Sequence, residues 1–245
     1  MKQLKVFKKN IIILLIAIIA IMVVSIILKY HVEGEENPPF QVSKIMVISN
    51  AYGVQKEKQE TNWNLDVIQN NDIYIDIIKN KNSETQEIIH KIILSDFHLE
   101  RAPKKGEIVK YHPQSLENGV YDNKEEYKIT EKLEYSGNEE KSDIKNLQIS
   151  NQGGLIFLRI VNENLGNYSV NETEEIRHDG TLLEKIGMTD EEVSFSISFD
   201  LSIELKSEKK YKANVTLEMP KGNLTKEGTT NYQIFGSEEL VFKRY

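Results

Sequence analysis

The sequence predicts an all-β extracytoplasmic domain, an antiparallel β-sandwich of about 9–11 strands, preceded by one N-terminal transmembrane α-helix. Three observations support this class. A long uncharged run lies near the N-terminus, several later segments alternate apolar and polar residues, and no run of eleven or more residues after residue 30 has helical periodicity. Because an open sheet of so many strands normally folds into two packed layers, a sandwich is the expected architecture.

The first element is the apolar run from Ile11 to Leu28, which has eighteen residues without a charge and only Ser25 as a polar residue. A helix of this length measures about 27 Å, close to the hydrocarbon thickness of a bilayer. Secretory signal peptides have shorter apolar cores, of about 7–15 residues, which end in small residues at a cleavage site. We therefore predict an uncleaved signal anchor at residues 11–29 that contacts the lipid bilayer through residues 11–28.

The charges that flank this run predict its orientation. The basic residues before it are Lys2, Lys5, Lys8 and Lys9, and the acidic residues after Lys29 are Glu33, Glu35 and Glu36. By the positive-inside rule, residues 1–10 form a basic cytoplasmic tail and the chain after Tyr30 lies outside the cell membrane. The expected location is the cell membrane, with a single pass.

Composition limits what the outer part can be. The chain has no cysteine, so a lipid-modified cysteine and a disulfide framework are both excluded. Without the five lysines in and around the span, 26 basic residues face 38 acidic ones, a balance of −12. Nucleic-acid binding is not expected, because it requires a basic surface.

The segment at 30–40 is acidic and contains two prolines, which predicts a short stiff linker between the membrane and the domain. Residues 41–245 are then predicted to form one extracytoplasmic β-sandwich. An alternative is two β domains divided near residues 136–143, where the polar stretch SGNEEKSD interrupts the strand pattern.

The clearest strand pattern is VSFSISFDLSIEL at 193–205, in which every second residue is apolar. The run YKANVTLEM at 211–219 repeats this alternation after a charged turn, so the two runs predict a long antiparallel hairpin. The intervening polar residues, Ser198 and Asp200 among them, are expected on a face open to water. Shorter runs of the same kind are VSKIMVIS, DIYIDIIKN, EIIHKIILSDFHL, EIVKYH, YKITEKLEY, IKNLQIS, GLIFLRIV and ELVFK. Long polar connections are predicted at 50–62, 112–126 and 163–192.

Candidate catalytic or metal-binding residues are few. The histidines are scattered at His31, His90, His98, His112 and His178. His90 and His98 share strand parity but lie about 26 Å apart in an extended chain, too far to share a metal. Asp72 and Asp76 share a strand face at about 13 Å, which a solvated face explains better than paired catalysis. Ser237 has no nucleophile-elbow motif around it.

Candidate binding residues are aromatic side chains and one glycine pair. Trp63 is the single tryptophan and is expected in the core rather than on a sugar-binding platform. Four tyrosines lie in or beside predicted loops and could line a site: Tyr52, Tyr111, Tyr121 and Tyr168. The stretch NQGG at Asn151 to Gly154 predicts a tight turn or bulge at the entry to a buried strand.

The leading functional interpretation is a non-catalytic, membrane-anchored β-sandwich that binds another protein or organises an envelope assembly. One alternative is a carbohydrate- or cell-wall-binding module, which would carry two or three exposed aromatic side chains in line. A less favoured alternative is an envelope hydrolase with two carboxyl groups within about 5–10 Å in a cleft. The expected partners are the bilayer, an envelope or membrane protein and, under the first alternative, a glycan. No cofactor or metal is expected.

Overall fold

A computed structural model gives the fold of the chain. The residues that it describes are 2–29, 34–35, 37–59, 62–83, 85–113, 123–138, 147–171, 173–236 and 240–245. Among them are one long N-terminal helix, eleven strands, three short α-helices and one 3₁₀ helix. The predicted class, a β-sandwich preceded by one apolar helix, is confirmed.

The N-terminal helix, α1, spans Lys2–Ile27. Its segment Asn10–Ile27 is long and apolar enough to cross a membrane, and none of this segment is buried against the rest of the chain. The predicted apolar helix is therefore present. Its retention as an anchor and its orientation stay predictions, and Tyr30 and His31 lie outside the described residues.

The strands vary from two to twenty residues. They are β1 Phe40–Gln59, β2 Asn62–Lys79, β3 Ile89–Arg101, β4 Glu107–Tyr111, β5 Leu133–Gly137, β6 Gln148–Ile149, β7 Gly153–Asn171, β8 Phe195–Leu205, β9 Lys210–Met219, β10 Thr229–Phe235 and β11 Lys243–Arg244. Sheet A has the order β10, β1, β2, β7, β4, and sheet B has the order β11, β9, β8, β3, β5, β6. Neighbouring strands are antiparallel except β5 and β6. Each sheet takes strands from both sides of residues 136–143.

The two sheets pack their inner faces around one large apolar cluster. Sheet A contributes alternate residues such as Ile45 of β1 and Ile75 of β2, and sheet B contributes residues such as Ile92 of β3 and Phe199 of β8, all essentially inaccessible to water. The predicted hairpin of β8 and β9 is confirmed, with Phe195 opposite Met219 and Glu204 opposite Lys210. The alternation in the sequence therefore identified the inner face of both strands correctly.

Two smaller clusters cover other parts of sheet A. The second cluster lies at the far ends of β1, β2 and β7, where three short helices pack on Ala51, Val67 and Leu165. These helices are α2 Thr181–Lys185, α3 Asp190–Val193 and α4 Leu224–Glu227. The third cluster contains Ile68, Tyr111 and Val161 and lies on the outer side of sheet A.

Three predictions about local structure were wrong. The polar stretches at 50–62 and 163–192 are not simple loops. β1 continues to Gln59 and β2 begins at Asn62, while β7 continues to Asn171. The run 127–135 is not one strand, since it contains the end of a 3₁₀ helix at Glu125–Tyr127 and only the beginning of β5. β10 was not predicted, because in its sequence TTNYQIF only Tyr232 and Ile234 alternate with polar residues, which is too short a pattern to identify a strand.

The second half of the predicted linker is attached to the domain. The Glu35 backbone N–H donates to the Phe242 carbonyl at 3.0 Å, and Arg244 donates to the Glu35 carboxylate at 2.8 Å. Pro38 and Pro39 are buried, and β1 begins directly after them. The chain is thus fixed to the sandwich from Glu35 onward.

Candidate functional site

The outer faces of the two sheets are the surfaces that each sheet turns away from the shared core. On sheet A, Met46 of β1, Tyr74 of β2 and Phe157 of β7 are opposite one another in the strand register and form a row across three strands. Their sequence neighbours Ile45, Ile75 and Ile156 are fully buried, so the alternation of a strand directs this row outward.

In the neighbouring register row, toward the end of the sheet at which β1 begins, two further apolar side chains lie at the ends, with Asp76 and Lys44 between them. Leu155 of β7 is 40 % exposed, and Phe235 of β10 is 56 % exposed. We call the surface formed by Met46, Tyr74, Leu155, Phe157 and Phe235 the apolar face. Soluble domains usually keep large apolar side chains of this kind apart from one another on their surfaces.

A charge pair borders the apolar face. Arg159 donates to both oxygens of Asp72, from Nε at 2.6 Å and from a terminal nitrogen at 2.9 Å. Both side chains are more than four-fifths buried, so this two-point contact is rigid and largely protected from water. The neighbouring carboxylate, Asp76, accepts a hydrogen bond from the Ser43 hydroxyl. The two aspartates therefore share one face, as predicted, and each has its own partner.

The aromatic pair in the apolar face has an edge-to-face geometry. The ring centroids of Tyr74 and Phe157 are 5.4 Å apart, and the ring planes meet at 85°. Burial and the nearby Asp72 carboxylate raise the pKa of Tyr74, so this side chain stays a neutral hydrogen-bond donor. Because the two ring planes are nearly perpendicular, the pair does not form one flat platform on which a sugar ring could stack.

The outer face of sheet B, which we call the polar face, has the opposite character. Ion pairs join neighbouring strands: Lys91 to Glu134 at 2.6 Å, Lys210 to Glu204 at 2.9 Å and Lys212 to Asp200 at 3.0 Å. Serines of β8 lie beneath these longer side chains and are buried, namely Ser196, Ser198 and Ser202. The expectation that these serines face open water was wrong, because β8 is an inner strand whose neighbours cover its short side chains.

The charges of the polar face lower the pKa values of its acids. Burial opposes the ionisation of Asp200, but hydrogen bonds from Asn214 and Lys212 outweigh this effect and lower its pKa. The pKa of Glu134 is lowered in the same way, with burial opposed by hydrogen bonds from Lys91 and Lys132. These acids are therefore paired structural groups, ionised at neutral pH.

The aromatic residues singled out in the sequence do not form one site. Tyr52 is exposed and stacks on His178 with 4.4 Å between ring centroids, whereas Tyr111 is buried and donates to Glu163 at 2.7 Å. Tyr168 lies under the Lys185 ammonium group, on the side of sheet A covered by the short helices. Tyr121 lies outside the described residues.

The sequence predicts Trp63 in the core, and this prediction was wrong. It is the second residue of β2, is partly exposed and belongs to none of the three apolar clusters of the described residues. It lies beside Lys58 and Val170, at the end of sheet A that is furthest along the strands from Phe40.

The predicted tight turn at Asn151 to Gly154 is confirmed, and Gly153 begins β7 with a φ of +110°.

The histidines are not brought together. Two register shifts, between Ile89 and Lys91 and between Ser95 and His98, interrupt the alternation of β3, so Phe97 packs inward on Phe199 and His98 is exposed. That His90 and His98 share a face stays a prediction. In the part of the chain that the structure describes, no group of three or more histidine, cysteine, aspartate and glutamate residues could hold a metal ion. Ser237 lies outside the described residues.

The sequence did contain a signal for the apolar face. In IMVI at 45–48 and LIFL at 155–158, both strand parities are apolar, which indicates two apolar faces rather than one. The pattern alone does not show what the second apolar parity contacts. Comparison with protein-family models, with curated proteins and with solved structures finds no significant match.

Proposed function

We propose that this chain is a single-pass, membrane-anchored β-sandwich without catalytic activity, which binds another envelope or membrane protein through the apolar face. In this proposal α1 stays in the cell membrane, residues 1–10 lie in the cytoplasm and the sandwich lies outside. The observation that carries the proposal is the row of Met46, Tyr74 and Phe157 across three strands of sheet A.

The composition of the apolar face supports a protein partner. The centres of protein interfaces are enriched in aromatic residues, methionine and arginine, and they contain little lysine and glutamate. The row of Met46, Tyr74 and Phe157 contains no charge, the next row adds Phe235 and Leu155 on either side of Lys44 and Asp76, and the guanidinium of Arg159 is held rigidly at the border. The polar face has the opposite composition and is suited to contact with water.

The attachment of the linker supports a partner at the membrane surface. Because Glu35 is bonded to Phe242 and Arg244, only the residues between Lys29 and Glu35 connect the helix to the domain. A fully extended chain of six steps spans at most about 20 Å. This short connection keeps the start of β1 close to the bilayer, within reach of other membrane proteins.

The proposal can be tested by in-cell crosslinking of the tagged full-length protein, followed by detergent extraction, affinity capture and mass spectrometry. The test variant is Met46→Lys/Phe157→Lys, which places two charges on the apolar face. The matched control is Thr216→Lys/Glu218→Lys, which places the same side chains at exposed positions of β9. We expect a reproducible protein adduct with the wild type and the control, and at least a tenfold smaller yield with the test variant.

The opposite results are equally informative. An adduct that is unchanged by the two lysines on the apolar face would contradict the proposal, provided that the variant keeps the thermal stability of the wild type. Capture of cell-wall glycan in place of protein would favour the carbohydrate-binding alternative.

The orientation has its own test, a protease-accessibility assay on intact cells. We expect the N-terminal tail to be protected from the protease, and a digested tail would contradict the proposed orientation.

A further inference from the structure

A pocket lies where the N-terminal helix meets the sandwich. Its volume is about 450 Å³, which is within the range of about 300–1,000 Å³ that is usual for small-molecule sites. Its walls come from the end of α1, the segment before β1, the start of β1, the turn after β2 and the segment that leads to β11. Segments that are distant in the sequence thus meet around one cavity.

The segment before β1 forms a fixed wall of this pocket. Gly34 has a φ of +94°, and a Cβ atom there would lie 2.5 Å from Cγ1 of Val241, so glycine lets the chain pass close to this side chain. The next residue, Glu35, is held by its backbone bond to Phe242 and by the side chain of Arg244. The wall is therefore part of the folded domain.

Asn80 supplies a buried polar group to the same pocket. The residue is 5 % exposed, its backbone N–H donates to the Pro39 carbonyl at 2.9 Å, and its Oδ1 accepts from the Asn82 N–H at 2.9 Å. These bonds fix the side chain, whereas no hydrogen bond joins its Nδ2 to any described residue. Because buried amide donors are nearly always paired, this donor in the wall of a pocket is suited to an acceptor oxygen of a ligand.

Two further donors line the pocket. Gln41 of β1 is partly exposed, and its side-chain amide forms no hydrogen bond with a described residue. Lys29 is exposed and brings a positive charge. Among the described lining residues the one carboxylate is that of Glu35, whose charge is balanced by Arg244 at 2.8 Å. One ammonium and two amide groups are a donor set that matches the oxygens of a phosphate ester.

The position of Lys29 defines the depth of this pocket in the proposed arrangement. Lys29 follows the apolar segment Asn10–Ile27 by two residues, and a lysine at the end of a membrane-spanning helix extends its ammonium group to the headgroup layer. The pocket that Lys29 lines then lies at the level of the lipid phosphates, whichever way the strands of the sandwich point. Val241, which also lines the pocket, is 57 % exposed and offers an apolar contact to the glycerol and acyl part of a lipid.

We propose that this pocket binds the headgroup of a zwitterionic membrane phospholipid, whose phosphate and ester oxygens accept hydrogen bonds from Asn80, Gln41 and Lys29. The inference rests on the membrane anchor of the proposed function, and it gives the sandwich a second contact with the bilayer. A headgroup with a net negative charge has no advantage, because Glu33 and Glu36 lie next to this wall in the sequence. The bound lipid would hold the domain against the membrane beside the end of the helix.

The test uses full-length protein in a maltoside detergent, which contains no phosphate. The probe is dihexanoylphosphatidylcholine below its critical micelle concentration, and the side-chain amide signals of Asn80 and Gln41 are followed by NMR. We expect both signals to shift and to saturate with a Kd of about 1 mM or lower. Inorganic phosphate, which lacks the esters, and dihexanoylglycerol, which lacks the phosphate, should each bind at least about tenfold more weakly.

Asn80→Asp is the test variant, because it keeps the Oδ1 acceptor for the Asn82 N–H and replaces the Nδ2 donor with a negative charge. We expect it to weaken lipid binding by about tenfold or more, as followed through the signal of Gln41. The matched control, Asn82→Asp, makes the same exchange at an exposed position of the same turn and should bind like the wild type. Gln41→Leu removes a donor without adding a charge and should weaken binding by about threefold to tenfold, as followed through Asn80.

Three results would overturn the inference. They are no shift of the Asn80 signal up to about 5 mM lipid, equal binding of inorganic phosphate or dihexanoylglycerol, and binding that Asn80→Asp leaves unchanged in a variant that melts like the wild type.

The proposed function has separate readouts. If mass spectrometry of the mature protein finds α1 removed, the anchor fails and the lipid inference fails with it. If no lipid binds but Met46→Lys/Phe157→Lys abolishes the cellular adduct, the lipid inference fails alone and the proposed use of the apolar face stands.

Discussion

The outer faces of the two sheets differ in chemistry although both lie over the same core. The polar face of sheet B is built from lysine–carboxylate pairs above buried serines, whereas the apolar face of sheet A carries methionine and aromatic rings. Folding requires only that one face of each sheet be apolar. The second apolar face therefore has no role in the shared core, and it is the surface that we propose for binding.

The first prediction tests the core on which both faces rest. Phe199 lies at the centre of β8, is fully buried and contacts Phe97 at 5.4 Å between ring centroids. Phe199→Asp would bury an unpaired charge there, so we expect a loss of the order of 5 kcal/mol and an unfolded outer domain. Thermal denaturation of the full-length protein followed by circular dichroism measures this loss.

Phe199→Leu is the matched control, because it keeps an apolar side chain and removes part of the ring volume. We expect it to lower the stability by about 1–3 kcal/mol while the domain stays folded. Equal stability of the aspartate variant and the wild type would mean that the inner and outer faces of β8 are assigned the wrong way round.

The inner face of the sandwich was readable from the sequence, and the use of the outer faces was not. Strict alternation identified β8 and β9 together with their hairpin, because one buried face imposes a period of two. The long polar parts of β1 and β7 could not be distinguished from loops, because they lack a clear alternation of apolar and polar residues. The part in β1 pairs with the adjacent β2, and the part in β7 pairs with the same strand from a distant place in the sequence. The position of β10 at the edge of sheet A depends on which strands are neighbours, and a single sequence does not contain this information.

The second prediction contrasts one ion pair from each outer face. Arg159→Ala leaves the mostly buried Asp72 carboxylate of sheet A without its guanidinium, so we expect a loss of about 2–4 kcal/mol. Lys91→Ala breaks the more exposed pair with Glu134 on sheet B and should cost about 0–1 kcal/mol. Urea denaturation at neutral pH measures both losses.

Arg159→Lys sharpens this contrast, because lysine keeps the charge and loses the two-point contact with Asp72. We expect its stability to lie between that of the wild type and that of Arg159→Ala. Equal losses for Arg159→Ala and Lys91→Ala would show that the two outer faces hold their charges in equivalent surroundings, which would weaken the distinction drawn between them.

The third prediction concerns the buried serines of the polar face. Ser198 is 3 % exposed, and its hydroxyl donates to the Glu100 carboxylate. Ser198→Asp replaces this donor with a second carboxylate beside Glu100, so we expect a loss of about 1–3 kcal/mol at neutral pH. Thr216→Asp, at an exposed position of β9, should cost less than about 0.5 kcal/mol. If the two variants have the same melting temperature, the serines lie on an open face after all.

The smallest expected effect is the pH dependence of one pair on the polar face. Because hydrogen bonds from Asn214 and Lys212 lower the pKa of Asp200 below 3.8, ionised Asp200 adds stability above that pH. This stability is lost as the pH falls through the lowered pKa. Lys212→Ala should raise the pKa of Asp200, measured by NMR titration, and should cost less than about 1 kcal/mol at neutral pH.

The difference in stability between the wild type and Lys212→Ala should disappear at a pH below the pKa of Asp200, where the carboxyl group is neutral in both proteins. Lys210→Ala, in the same strand, breaks the pair with Glu204 and should leave the pKa of Asp200 unchanged. A difference that persists in acid would mean that Lys212 acts through packing, for example over the Tyr245 ring 5.3 Å away, and not through its charge. In that case the polar face would resemble the apolar face more closely than its ion pairs suggest.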